Sequence, residues 1–272
     1  MKAKLTNIDR FLHYFNGNNI QLPPTTWVET AYVTMIKAYQ EKTGIKIAPN
    51  NDYALNMLKS TFSSNNTYSP VETIEDRKDI EKISNHITSV MLQNFSFLPD
   101  EDIKDLKGYL QYLFSELMNN VTDHSGSYGY AMAQYFPINK KIQFAIVDNG
   151  VGFLRNMRLN YNVKNEKEAV LKALERGVTS TMQMMYNQNK NAGYGLYAMT
   201  KILEETGGRF VIISNNAMVQ MEDGKIISSE LKHKWEGSII AFEFNEKNIN
   251  LDITKFLGSY VTYIEDEDEE FF

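Results

Sequence analysis

The chain has 272 residues, 43% hydrophobic and 23% charged, which excludes a disordered or fibrous protein. It contains no cysteine, so disulfide scaffolds, thiol catalysis and Cys-ligated zinc are excluded as well. The formal charge of −6 sits in one run, E-D-E-D-E-E at residues 265–270; the other 28 acidic residues match the 28 Lys and Arg.

A neutral body offers no electrostatic footprint for nucleic acid. The four histidines (His13, His86, His124, His233) show no metal-binding spacing. No apolar run reaches the length of a membrane span, and the opening M-K-A-K-L-T-N-I-D-R lacks the apolar stretch of a signal peptide. A cytoplasmic protein without a membrane partner is expected.

In chain order, Trp27, Ala31, Met35, Ile36 and Tyr39 share a helical face that Gly44 terminates. Ile45–Ile47 alternates like a short strand, Tyr53–Leu58 reads as helix, and the Ser- and Asn-rich stretch 63–70 reads as loop. A long helical region is expected over 72–95, broken at Pro99-Asp100. Residues 1–98 thus form a smaller mixed α/β region without recognisable chemistry.

The pattern sharpens beyond it. One helix covers 105–124, with Leu106, Leu110, Leu113, Leu117 and Val121 on its apolar face. Residues 128–136 and 142–147 are strands of a hairpin. Asn165 and Glu168 begin a further helix in capping-box style, ended by Gly177. Residues 196–205 are helical, and strands are expected at 210–214, 225–227 and 238–244. These elements predict an α+β fold, a two-layer α/β sandwich over residues 99–250, followed by a C-terminal segment 251–272 with the acidic tail.

Three segments carry chemistry. Glu116, Asn120 and His124 lie at i, i+4 and i+8 along one helix face. Such a face is ordinary on the wet side of an amphipathic helix, but the Asn119-Asn120 pair is a poor helix former. The second segment is F-A-I-V-D-N-G-V-G-F, a strand ending at Asp148 and followed by Gly150 and Gly152. Asp-Asn-Gly is a common turn; the second glycine is not needed for one, and paired glycines would let a ligand approach the backbone. A carboxylate there can accept the exocyclic amine of adenine and repels the carbonyl of guanine. The third is N-A-G-Y-G-L-Y-A-M-T, where Gly193 and Gly195 open a helix whose N–H groups can cradle phosphate. It is neither a P-loop nor a dinucleotide fingerprint.

In this order and spacing, with G-G-R-F-V-I-I-S and E-G-S-I-I-A-F-E-F following, the segments resemble the GHKL ATPase superfamily over residues 102–245. The resemblance implies the Bergerat-type ATP-binding fold, found in gyrase-type, mismatch-repair, heat-shock chaperone and histidine-kinase proteins. It implies ATP and Mg²⁺ as cofactors, Asn120 as the Mg²⁺ ligand, and Glu116 as the base that activates water or a hydroxyl. It further implies Asp148 as the adenine reader with Gly150 and Gly152 as its loop. Gly193, Gly195 and Leu196 would form the phosphate loop. Ser238 would stand for the family's usual Thr, bonded near Asp148 through water. Residues 153–192 would be a lid, with Arg176 and Lys190 as candidates for the γ-phosphate.

Glu116 stands where histidine kinases carry Asn, and His86 lacks the acidic neighbour of a phospho-acceptor. The pattern looks most like small bacterial ATP-binding and anti-sigma-type proteins, which work with STAS-like partners. The expected function is ATP hydrolysis in which lid closure switches a protein partner or self-association. A Ser/Thr protein kinase and a non-hydrolysing nucleotide-gated module are the alternatives.

Overall fold

The structure is a computed structural model, described here for residues 2–15, 22, 24–47, 49, 51–59, 67–93, 99–178 and 195–249. Strands β1 (Lys2–Ala3) and β2 (Trp27–Val28) pair in parallel around a 3₁₀ helix, Leu5–Phe15. Helices α1 (Thr30–Thr43) and α2 (Asp52–Lys59) follow. Then come β3 (Glu72–Ile74), α3 (Arg77–Leu92), α4 (Asp100–His124), β4 (Gly129–Phe136) and β5 (Lys141–Asp148). The remainder is α5 (Leu154–Met157), α6 (Glu166–Ala173), α7 (Gly195–Thr206), β6 (Arg209–Glu222) and β7 (Lys225–Asn245).

Five strands form one antiparallel sheet in the order β3-β4-β5-β7-β6. Successive side chains of a strand face opposite ways. Ile142, Phe144 and Ile146 of β5, with Ile240, Phe242 and Phe244 of β7, therefore face a core shared with α3, α4, α6 and α7. The alternate set, Ala145, Val147, Val211, Ile213, Ile239 and Ala241, faces a second core. The 3₁₀ helix supplies Phe11 and Leu12 to that second core, α1 supplies Val33, Met35 and Ile36, and α2 supplies Met57.

The sheet is thus covered on both faces, where helices on one face were expected. The third layer comes from residues 2–59. The division expected near residue 98 is crossed by packing: β3 pairs with β4, and α3 lies along α4 in the first core. Asp76 and Asp79 form a reciprocal capping box that starts α3, so the expected long helix over 72–95 is a strand, a turn and a shorter helix. The expected strand at 45–47 is irregular backbone. Strand β7 is one continuous element, where two short strands were expected. No helix among the described residues is long and apolar enough to cross a membrane.

Candidate functional site

Helix α4 starts at Pro99-Asp100 with Asp100, Glu101 and Asp102 in its first turn, where carboxylates favour the helix dipole. Its apolar stripe is buried as expected from Leu106 to Val121. The polar positions are not on the opposite side, however. Asn120 and His124 share the wall of one cleft with Leu117 and Val121, at the border between core and solvent. That cleft encloses about 740 Å³, counted out to open solvent.

Asp148 closes the cleft floor. It ends β5 and sits opposite Gly129 of β4 and Ser238 of β7, with Ser214 of β6 the next residue across the sheet. By strand parity its side chain is on the α4 face, in line with Ile142, Phe144 and Ile146. The carboxylate is buried. Oδ1 accepts from the N–H of Gly150 at 2.8 Å and of Ser238 at 3.3 Å, and Oδ2 accepts from the Ser238 hydroxyl. Burial pushes this carboxyl up from its ordinary value, and these three hydrogen bonds oppose the shift. A carboxylate has about four acceptor positions, so one remains for a donor in the cleft. Ser238 thus bonds Asp148 through both its backbone N–H and its hydroxyl.

The glycines of the following loop are tightly packed. A Cβ on Gly150 would lie 2.1 Å from the carbonyl oxygen of Ser125. Gly152 has φ +75°, and a Cβ there would meet Asn215 Nδ2 at 2.3 Å and Ser214 Oγ at 2.7 Å. Both obstacles are protein atoms. These glycines let the loop pack against the end of α4 and against β6. Gly152 does line the cleft.

Sequence reasoning missed what holds that loop. Glu166, buried at the start of α6, accepts from the N–H of Phe153 at 3.2 Å and of Leu154 at 3.1 Å. It also accepts from the Ser214 hydroxyl and from Asn215 Nδ2. Asn215 sits at an irregularity in the β6–β7 pairing with φ 49°. Trp235, its partner across the strands, donates from Nε1 to the Asp148 carbonyl at 2.8 Å. Glu166 stands in the first turn of a helix, where an acidic residue is ordinary, so its sequence position carried no signal of this role.

Gly195 and Leu196 begin α7 and line the cleft wall with Asn120. Glu116 is adjacent: a Cβ on Gly195 would stand 3.0 Å from Cβ of Glu116. Burial pushes the Glu116 carboxyl up to about 7, with Asn119 and Arg77 pulling the other way. Burial also lowers the pKa of His124 in the same wall, favouring its neutral form. Arg77 forks onto Asp123 at 3.1 and 2.6 Å and fastens α3 to the end of α4.

Of the residues named from sequence, Asn120, Asp148, Gly152, Gly195, Leu196 and Ser238 share this cleft; Glu116 lies at its α7 edge and Gly150 beneath it. Gly193 and Lys190 lie outside the described residues. Residues 153–178 of the expected lid are packed: Met157, Val163, Ala169, Val170, Ala173 and Leu174 belong to the first core. Arg176 is exposed and is not part of the cleft wall. His86 does have an acidic neighbour in space, with Nδ1 2.6 Å from Glu72 Oε1 across β3 and α3.

A divalent cation would find no cluster of three acidic or histidine ligands among the described residues. Among the described residues, the oxygen donors of the cleft include the Asn120 amide, and Glu116 stands one turn away on the same helix. That set fits an ion which keeps water and takes further oxygens from a bound phosphate, as Mg²⁺ does. No protein-family model matches the chain, and no curated protein matches it significantly.

Proposed function

We propose that the cleft binds Mg·ATP and that the protein hydrolyses it, as a member of the GHKL superfamily with a Bergerat-type fold. One observation carries the reading. Asp148, Asn120 and Gly195, from a strand end, a helix face and a helix start far apart in sequence, converge on a single cleft. These are the groups needed for an adenine amine, a metal-bound phosphate and a phosphate at a helix N-terminus.

The chemistry follows from each group. The free acceptor position on Asp148 takes the exocyclic amine of adenine, and guanine presents a carbonyl that the carboxylate repels. The N-terminal end of α7, with its dipole, favours phosphate oxygens. Bound Mg²⁺ would supply charge neutralisation of the phosphates, held by the Asn120 amide oxygen. Glu116, with a pKa near neutrality, is suited to take a proton from the attacking water. It titrates close to working pH because it is largely desolvated.

Regulation of a protein partner by the nucleotide state belongs to the same proposal. The site chemistry does not choose that partner. Release of labelled γ-phosphate tests hydrolysis directly: wild type should give free phosphate, and Glu116→Gln should retain ATP binding with turnover reduced about 10²–10⁴-fold. Undiminished turnover in that variant would remove Glu116 as the base. Label appearing on a protein would turn the reading to a kinase.

A further inference from the structure

A second pocket opens at the other end of the β4–β5 hairpin. Asp148 pairs with Gly129 at one end, and Lys141 pairs with Phe136 at the other. Seven residue steps separate them, about 23 Å at 3.3 Å per residue. The pocket encloses about 720 Å³, counted out to open solvent, between β2, the start of α2 and the end of β4. It is independent of the nucleotide reading.

Its walls are aromatic and uncharged. Trp27 and Phe136 stack with ring centroids 5.6 Å apart, and Tyr53 and the exposed Ile138 complete the lip. Among the described residues no acidic or basic side chain lines it, and Lys141 Nζ lies 5.2 Å from the centroid of the Phe136 ring. Two wall residues carry buried polar atoms with no hydrogen-bond partner: the indole N–H of Trp27 and the amide oxygen of Gln134. Gln134 is 1% exposed, and its amide nitrogen is already committed to the Tyr53 hydroxyl at 2.9 Å. Leaving such a donor and such an acceptor unpaired is unfavourable, and buried polar groups ordinarily find partners. Aromatic walls, absence of charge, one free donor and one free acceptor together define a ligand class.

We propose that this pocket binds a small, neutral, planar molecule carrying an N–H beside a C=O, such as a lactam or carboxamide. The ligand carbonyl accepts from Trp27 Nε1, and the ligand N–H donates to Gln134 Oε1. The rings of Trp27, Phe136 and Tyr53 cover its faces and edge.

The chain has two tryptophans, so the indole N–H region of a ¹H–¹⁵N spectrum of the full-length protein holds two side-chain signals, separated by Trp27→Phe. Three probes of similar shape decide the matter. 2-Pyridone should shift the Trp27 signal and leave that of Trp235, which is bonded to Asp148. N-methyl-2-pyridone, unable to donate to Gln134, should bind at least roughly tenfold more weakly, the effect of one lost hydrogen bond. Toluene should leave the signal unmoved. No shift with 2-pyridone at concentrations of about 10 mM, or equal shifts with all three probes, would overturn the proposal.

Discussion

At the scale of single residues, the site is governed by how burial is offset. Asp148 is desolvated and held by three hydrogen bonds, and Glu116 is desolvated with less support. On the proposed function, the difference separates a residue that recognises adenine from one that exchanges a proton. The sign of the Glu116 effect on stability follows from its raised pKa. Below pH about 4.5 the carboxyl is protonated in both folded and unfolded chains and costs nothing. Between there and about 7 the folded state holds the proton more tightly, so stability falls as pH rises. Glu116→Gln should therefore leave stability unchanged near pH 4 and raise it by about 1–3 kcal/mol at pH 8, by denaturant titration at both pH values. A variant destabilised at pH 8 would contradict this account. In the wild type, turnover should climb through about pH 7 as the base deprotonates.

The glycines make a second prediction at this scale. Gly150→Ala places a methyl group against a backbone carbonyl that cannot rotate away, and should cost about 1–3 kcal/mol from overpacking. Gly44, with φ 69° and open space around it, should cost about 1 kcal/mol on the same substitution, from backbone strain alone. Equal thermal shifts for the two variants would show that Gly150 is not a packing position. In the sequence, Asp148, Asn120 and the glycines were legible as candidates because their spacing is unusual. The reason for the glycines was not legible, since Ser125, Ser214 and Asn215 reach them only through the fold.

Among the elements, the loop after β5 is held by α6 and β6 through Glu166. Removing that carboxylate by Glu166→Ala strips the Leu154 N–H of its partner, and leaves the Phe153 N–H with Ser214 Oγ and Asn215 Nδ2 with the Val151 carbonyl. The orphaned Leu154 N–H costs about 1–3 kcal/mol and the two weakened groups less, so a lower melting temperature and faster amide exchange at Phe153 and Leu154 should result. Unchanged exchange at both would mean that Glu166 does not order the loop. Element boundaries were legible where chemistry punctuates the chain. The Pro99-Asp100 start of α4 and the Asn165 cap of α6 carry such marks. They were not legible in β7, where the polar run Ser228–Lys234 hides a strand that is kept by pairing with β6. At α3, Asp76 and Asp79 held the capping signal that divides strand from helix.

For the molecule as a whole, the covering of both sheet faces is the feature that sequence reading passed over. The physical mark was present: β4 reads G-Y-A-M-A-Q-Y-F and β5 reads K-I-Q-F-A-I-V-D, without the polar alternation of a sheet open to water on one face. A chain starting at residue 99 would expose Tyr130, Met132, Val147, Ile213 and Ile239 together. It should fail to give a cooperative thermal transition by circular dichroism. A fragment melting like the full chain would show that residues 2–59 are dispensable to the fold. The charge asymmetry belongs to this scale too. Deleting residues 265–272 removes the net charge of −6 and should leave nucleotide binding intact, because every residue assigned to the nucleotide lies between 116 and 238 in the sequence.

The central claim is that the cleft above Asp148 takes adenine nucleotide. Thermal unfolding of the full chain with Mg·ATP or Mg·GTP, for wild type and Asp148→Asn, tests it most directly. At about 100 times the dissociation constant, a ligand adds about 2.7 kcal/mol, a shift of roughly 5–10 °C evaluated at the melting temperature. The account predicts that shift for wild type with ATP, little with GTP, and its loss in Asp148→Asn. No shift with ATP, or one that Asp148→Asn leaves in place, would contradict it.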